Sequence, residues 1–147
     1  LAQYIFGGPP ENVSAHQWLG PSGVDEAFAG LLQYSGGRAA HITSAFNSPR
    51  YTRAEIIGTK DRLVLTSPFN PVDIPDPQVI HYPEEGEPYQ VDIPAFQLYS
   101  GEIEDMHTAI LNREPTYISL RESRDHIRTV LALYHAAQTG QVIRLSP

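Results

Sequence analysis

Apolar and polar positions alternate through the first half of the chain and then recur every three or four residues in the second. Residues 11–19, 24–34, 38–47, 51–57 and 61–66 are short segments, separated by Gly20-Pro21, Ser35-Gly36-Gly37, Ser48-Pro49 and Gly58-Thr59-Lys60. That is the punctuation of strands and tight turns. Val24, Glu26, Phe28, Gly30, Leu32 and Tyr34 share one face, which Ala40, Ile42, Ser44 and Phe46 continue after Gly36-Gly37. Two alternating runs joined by Gly-Gly predict a hairpin. A second hairpin is predicted where Gly58 and Lys60-Asp61 separate Ile56-Ile57 from Leu63-Val64-Leu65.

Seven prolines between Pro68 and Pro94 each remove a backbone donor, so this stretch is an excursion with short edge strands at 78–82 and 88–93. Beyond it the period becomes helical. Phe96, Tyr99, Ile103, Met106 and Ile110 mark one helix running to Leu111, and Ile127, Val130, Leu131, Tyr134 and Ala137 form the apolar stripe of another. The second helix opens on a capping box, Ser119 to Glu122, and closes at Gly140, after which residues 141–145 form a last strand. Residues 1–6 read as the tail of a helix. Strands followed by helices predict an α+β fold, a largely antiparallel open-faced sheet with two C-terminal helices packed on one face.

The other face of that sheet is neither greasy nor highly charged. Ala27, Leu31, Ala39, His41, Thr43 and Ala45 lie on it, with Tyr51, Arg53 and Glu55 expected from the next strand. Such a face suits a meeting with another subunit or domain, the alternative being a solvated surface.

A length of 147 residues allows one ordinary domain, since domains usually run to about 100–200 residues. The formal charge of -7 leaves no diffuse basic field for a nucleic-acid backbone. No apolar run approaches the roughly 18 residues of a membrane helix. The absence of Cys removes disulfides, thiolate metal sites and thiol nucleophiles, and makes the cytoplasm the plainer expectation. The one Met is Met106, so the chain is expected to be a piece of a longer protein.

No nucleotide-binding glycine loop, serine-hydrolase elbow or His-Glu-x-x-His zinc motif occurs in the sequence. Glu104 with His107, and Glu122 with His126, stand one helical turn apart and could form a two-helix metal or acid/base site. That design takes two further Glu ligands from helices not in this sequence, so no metal ligand is assigned. The carboxylates at Glu84, Glu85 and Glu87, and at Glu102, Glu104 and Asp105, read as solvated clusters. Arg50, Tyr51 and Arg53 gather two guanidinium forks and a phenol that could bind hydroxyl or carboxylate groups, the alternative being ion pairs with Glu55. Gln97 and Tyr99 stand where the excursion enters a helix, and Tyr99 is either a pocket residue or a core tyrosine.

The run from Gly23-Val24-Asp25 to Phe46, the Glu55-Ile56-Ile57-Gly58-Thr59 hairpin, and the Tyr134, Ala137, Thr139-Gly140 helix end before Val142 occur in a telling order. In that order they resemble the C-terminal domain of the glucose-fructose oxidoreductase, inositol dehydrogenase and rhizopine-catabolism (Gfo/Idh/MocA) superfamily, across nearly the whole chain. The resemblance implies a dihydrodipicolinate reductase/glucose-fructose oxidoreductase C-terminal-like fold. Residues 1–147 would be one substrate-binding and oligomerisation domain, preceded in the whole protein by a Rossmann domain that binds NAD or NADP. It implies a dehydrogenase of sugars, cyclitols or similar polyols that forms homo-oligomers through the open sheet face. Tyr99 matches the family's substrate-lining position, and Gln97, Arg50 and Tyr51 complete the candidate substrate contacts. No catalytic or cofactor-binding residue falls in this chain, which alone is expected to be inactive. His107 departs from the family's usual apolar residue there. A non-catalytic binding or scaffold module of the same fold is the alternative reading.

Overall fold

The alternation between Asn12 and Ala45 builds three antiparallel strands, β1 (Asn12–Leu19), β2 (Asp25–Gln33) and β3 (Ala39–Ala45), in a computed structural model that describes residues 1–69, 78–94 and 99–145. Gly36 and Gly37 turn the chain between β2 and β3 at φ of 70° and 75°, backbone that side chains with a Cβ resist. Register pairs Phe28 with Ser44, Gly30 with Ile42 and Leu32 with Ala40, so the two expected runs do share a face. Phe46 falls beyond the end of β3 and is exposed.

Short β8 (Ile143–Arg144) joins the free edge of β1, giving the order β3-β2-β1-β8. Helix α1 (Ala2–Phe6) precedes this sheet, and α3 (Leu120–Thr139) lies across β1 and β8. Ser119 caps α3 as expected. Its hydroxyl accepts from the Glu122 N–H while the Glu122 carboxylate accepts from the Ser119 N–H, and Gly140 ends the helix in the left-handed region. Val13, Leu32, Tyr34, Leu133 and Ala136 form the core between helix and sheet.

The face that α3 turns inward is not the one its hydropathy predicts. Asp125, Thr129, Leu133 and Ala136 are buried, while Ile127 and Leu131, on the other side of the helix, keep 57% and 62% of their surface exposed. Close approach decides the matter. Gly30 has no side chain, and a Cβ placed there would stand 2.9 Å from Leu133 Cδ2 and 3.1 Å from Ile42 Cγ1. Leu133 fills that dimple, and Ala136 brings the helix down beside it. Polar Thr129 tolerates burial because its hydroxyl donates to the Asp125 carbonyl at 2.8 Å and accepts from Gln3 Nε2 at 2.6 Å.

Contacts divide the chain into two units, Leu1–Ser48 with Pro115–Pro147, and Pro49–Glu114. The second has its own sheet, β4 (Ala54–Ile57), β5 (Arg62–Leu65), β6 (Val79–Tyr82) and β7 (Tyr89–Val91), in that order and antiparallel throughout. The Gly58 N–H donates to the Asp61 carbonyl and closes the β4–β5 turn. Glu55 on β4 is thus part of this second sheet, and Tyr51 and Arg53 precede β4 in irregular chain. None of the three extends the open face of the first sheet. The proline-rich excursion contributes β6 and β7, of which β7 is an edge strand as expected while β6 pairs on both sides, with β5 and β7, and helix α2 (Ser100–Asn112) follows with none of its residues buried.

Candidate functional site

The two units differ sharply in charge. Leu1–Ser48 with Pro115–Pro147 has five Lys/Arg against five Asp/Glu, and Pro49–Glu114 has five against twelve, so the whole net charge of -7 belongs to the second unit. Arg50, Tyr51 and Tyr99 belong to that acidic unit.

Tyr99 is the most distinctive of them. It is the N-cap of α2 with φ 67° and ψ -1°, left-handed backbone that a bulky side chain adopts only at a cost of about 1–2 kcal/mol. Its side chain is 66% exposed, which removes the core-tyrosine alternative. Arg113 at the other end of α2 is also left-handed, at φ 57°, so strain brackets the helix at both termini. Tyr51 is exposed ahead of β4, and neither phenol makes a side-chain hydrogen bond or ring contact among the described residues. Arg50 lies in the same irregular segment. Gln97 lies outside the described residues. Glu55 pairs with Arg62, whose guanidinium lies 4.0 Å from the centre of the Tyr82 ring.

A carboxylate–imidazole pair went unread in the sequence. Asp61 Oδ2 lies 3.1 Å from His81 Nε2, and Asp61 Oδ1 accepts from the Glu84 N–H at 3.0 Å. The Glu84 N–H first and His81 second hold the Asp61 carboxyl below the usual carboxylate range. The imidazole meets the Tyr89 ring edge-on at 4.9 Å, and its Nδ1 is buried without a partner among the described residues. With Nε2 engaged and Nδ1 sealed, this imidazole offers no nitrogen to a substrate and fixes the β5–β6 end instead. The signal for it lay in register alone, since Leu63 pairs with His81 and places Asp61 two residues along the same face.

In the first unit, the Tyr4 and Tyr117 hydroxyls meet at 2.8 Å, and that bond pushes the Tyr117 phenol up. Ser119 draws the Glu122 carboxyl down through its N–H and then its hydroxyl. Arg121, Arg124 and Arg128 surround the buried Asp125 at 3.8, 3.5 and 3.6 Å. Glu104 and His107 fall in one unit and Glu122 and His126 in the other. Among the described residues no three His, Asp or Glu side chains gather as a metal would require. No helix among them is long and apolar enough to cross a membrane.

Residues 1–64 match the family model of the GFO/IDH/MocA C-terminal domain. Across 98% of its length the chain is 28% identical to the D-xylose 1-dehydrogenase (NADP(+)) 2 of Haloferax volcanii, covering 44% of that protein. It is 39% identical over 64 residues, 43% of the chain, to the trans-1,2-dihydrobenzene-1,2-diol dehydrogenase of Xenopus tropicalis, of which that stretch is 19%. Among solved structures, the aldose-aldose oxidoreductase from Caulobacter crescentus complexed with glycerol superposes with a TM-score of 0.82 at 21% identity. That match covers 98% of this chain and 44% of that one, and the likeness is one of fold. The chain spans less than half the length of the curated relatives it matches.

Proposed function

We propose, from the match of residues 1–64 to the family model of the GFO/IDH/MocA C-terminal domain, that residues 1–147 form the substrate-pocket and oligomerisation domain of a longer, cytoplasmic NAD(P)-dependent oxidoreductase acting on a sugar, cyclitol or similar polyol. Similarity over 98% of the chain to a D-xylose dehydrogenase carries the reading. Two features of the chain agree with it. Among the described residues the Tyr99 phenol, held in strained backbone at the head of α2, makes no side-chain hydrogen bond, and no helix of the first sheet's own unit lies across its open face.

Polyol recognition needs hydrogen-bond donors and acceptors for the substrate hydroxyls. The Tyr99 and Tyr51 phenols and the Arg50 guanidinium supply them, with Gln97 joined on sequence grounds. A dinucleotide does not fit the glycines of this chain. A phosphate cradle needs a glycine-rich turn that opens a helix. Gly7 instead closes α1 and runs through Gly8 into Pro9-Pro10, while Gly36-Gly37 join two strands. NAD or NADP is therefore assigned to a preceding Rossmann domain, and none of the hydride chemistry is assigned to residues of this chain.

Steady-state assays of the longer protein with neutral aldoses and polyols, using NAD and NADP in turn, test the reading. Turnover is expected with one of them. Calorimetric titration of the 147-residue chain with either dinucleotide should give no binding tighter than about millimolar, a Kd equivalent to about -4 kcal/mol. A longer protein without turnover on any such substrate favours the scaffold alternative.

A further inference from the structure

Helix α1 is five residues long, with backbone hydrogen bonds from the Ile5 N–H to the Leu1 carbonyl at 3.0 Å and from the Gly8 N–H to the Gln3 carbonyl at 2.9 Å. A helix shorter than about 12–15 residues is marginal in water on its own. Side chains hold this one. The Gln3 carboxamide donates to the Thr129 hydroxyl at 2.6 Å and to the Asp125 carbonyl at 3.3 Å, both on α3. Three residues on, Phe6 packs against the core, its ring centre 4.4 Å from that of Tyr34 and 5.3 Å from the Arg38 guanidinium. Residues three apart share a helix face. Gln3 and Phe6 therefore fasten one side of α1 to two separate elements, which fixes the direction of its axis.

The Gln3 contact is specific in its polarity. The Thr129 hydroxyl has one hydrogen and spends it on the Asp125 carbonyl at 2.8 Å, so toward Gln3 it can only accept. Both groups that face the carboxamide are thus acceptors, and its NH2 satisfies them. Thr129 is buried, so losing Gln3 would leave its oxygen short of a donor away from bulk water. The neighbouring contact of α1 is of another kind. Tyr4 and Tyr117 are both exposed, and water can replace either hydroxyl in the bond between them.

We propose that Gln3 is a positioning residue for hydride transfer in the longer protein: by locking α1 to Thr129 and Asp125, it sets the angle at which the preceding domain meets this one. The inference rests on the reading above, in which the dinucleotide belongs to the preceding domain and the sugar or polyol contacts to this chain. Transfer between reactants held by two domains needs those domains in line. Gln3 touches neither reactant. It narrows the angles through which α1 can swing, and so the distances between the reacting carbons, where about 1 Å of misplacement can cost about 100-fold in rate. Dinucleotide binding to its own domain does not depend on that angle.

Single-turnover reduction of the dinucleotide by the longer protein tests this, with the neutral aldose or polyol that turns over fastest in the steady-state assays and the dinucleotide that supports it. A misfolded fraction lowers the amplitude of that reaction and leaves its rate constant alone, so the rate constant reads alignment. Gln3→Ala and Thr129→Val should each lower it about tenfold, and their combination no further, since both remove one interaction. Thr129→Ser, which keeps the hydroxyl, and Tyr4→Phe should retain the wild-type rate constant. The steady-state KM for the dinucleotide should stay within about twofold in every variant. Hydrogen exchange gives a readout apart from turnover. The Ile5 and Gly8 amides should exchange about tenfold faster in Gln3→Ala, while those of β1 and β2 stay protected. An unchanged rate constant in Gln3→Ala, or losses that multiply in the double variant, overturns the positioning role and leaves the oxidoreductase reading standing. A wild type with no turnover on any such substrate overturns that reading, and this inference with it.

Discussion

Two four-stranded antiparallel sheets occur in this chain, and they are put to opposite uses. The first, in Leu1–Ser48 with Pro115–Pro147, is backed by a twenty-residue helix whose Leu133 and Ala136 close over Val13, Leu32 and Tyr34, and its unit has no net charge. The second, in Pro49–Glu114, has Val64 as its one deeply buried hydrophobic residue among those described, belongs to a unit with all seven excess negative charges, and is followed by a helix with an exposed apolar side. Burial concentrates where the chain needs a platform. Left-handed backbone outside glycine, at Tyr99 and Arg113 among the described residues, falls in the unit that would meet a ligand, as expected if stability and recognition are divided between units.

The largest expected effect is on the platform. Leu133→Ala empties the dimple over Gly30 and should cost about 2–5 kcal/mol in denaturant unfolding. Val64→Ala should cost about 1–2 kcal/mol and loosen amide protection in residues 49–114 while leaving that of β1, β2 and α3 unchanged. Equal costs, or one shared loss of protection, would erase the division. A smaller effect of opposite sign should come from Tyr99→Gly. Glycine accepts φ 67° without penalty, so the variant should gain up to about 1 kcal/mol, net of glycine's greater unfolded-state entropy. A loss would mean that the phenol packs instead of waiting for a ligand. The smallest effect is in the acid limb of stability. Asp61 and Glu122 are held low when folded, so each stabilises above its unfolded pKa and loses that contribution as pH falls through its lowered folded value. Asp61→Asn should flatten the limb for the second unit and Glu122→Gln for the first, read as amide protection between about pH 5 and 2.

The strands, the Gly-Gly turn and both ends of α3 could be read from sequence, because alternation, positive φ and capping are local chemistry. The inward face of α3 could not. Hydropathy favoured Ile127 and Leu131, whereas the contact was set by a missing side chain at Gly30 and a small one at Ala136, features that only a facing element makes meaningful. Asp61 and His81 are twenty residues apart across a proline-rich stretch, so their pairing depended on a register that the sequence left open. Glu55 joins the second sheet, and Tyr51 and Arg53 no strand at all, for a related reason. Alternation gives a strand its two faces without saying which neighbour it joins. Tyr99 was found by position, but its left-handed backbone is imposed by the chain on either side.

The central claim, that the acidic unit offers a polyol its contacts through Tyr99, is tested most directly by the kinetics of Tyr99→Ala in the longer protein. The account predicts that KM for the sugar or polyol rises about tenfold or more, roughly the 1.4 kcal/mol of one lost hydroxyl contact, with KM for the dinucleotide unchanged. An unchanged sugar KM, or a shift confined to the dinucleotide, would contradict it.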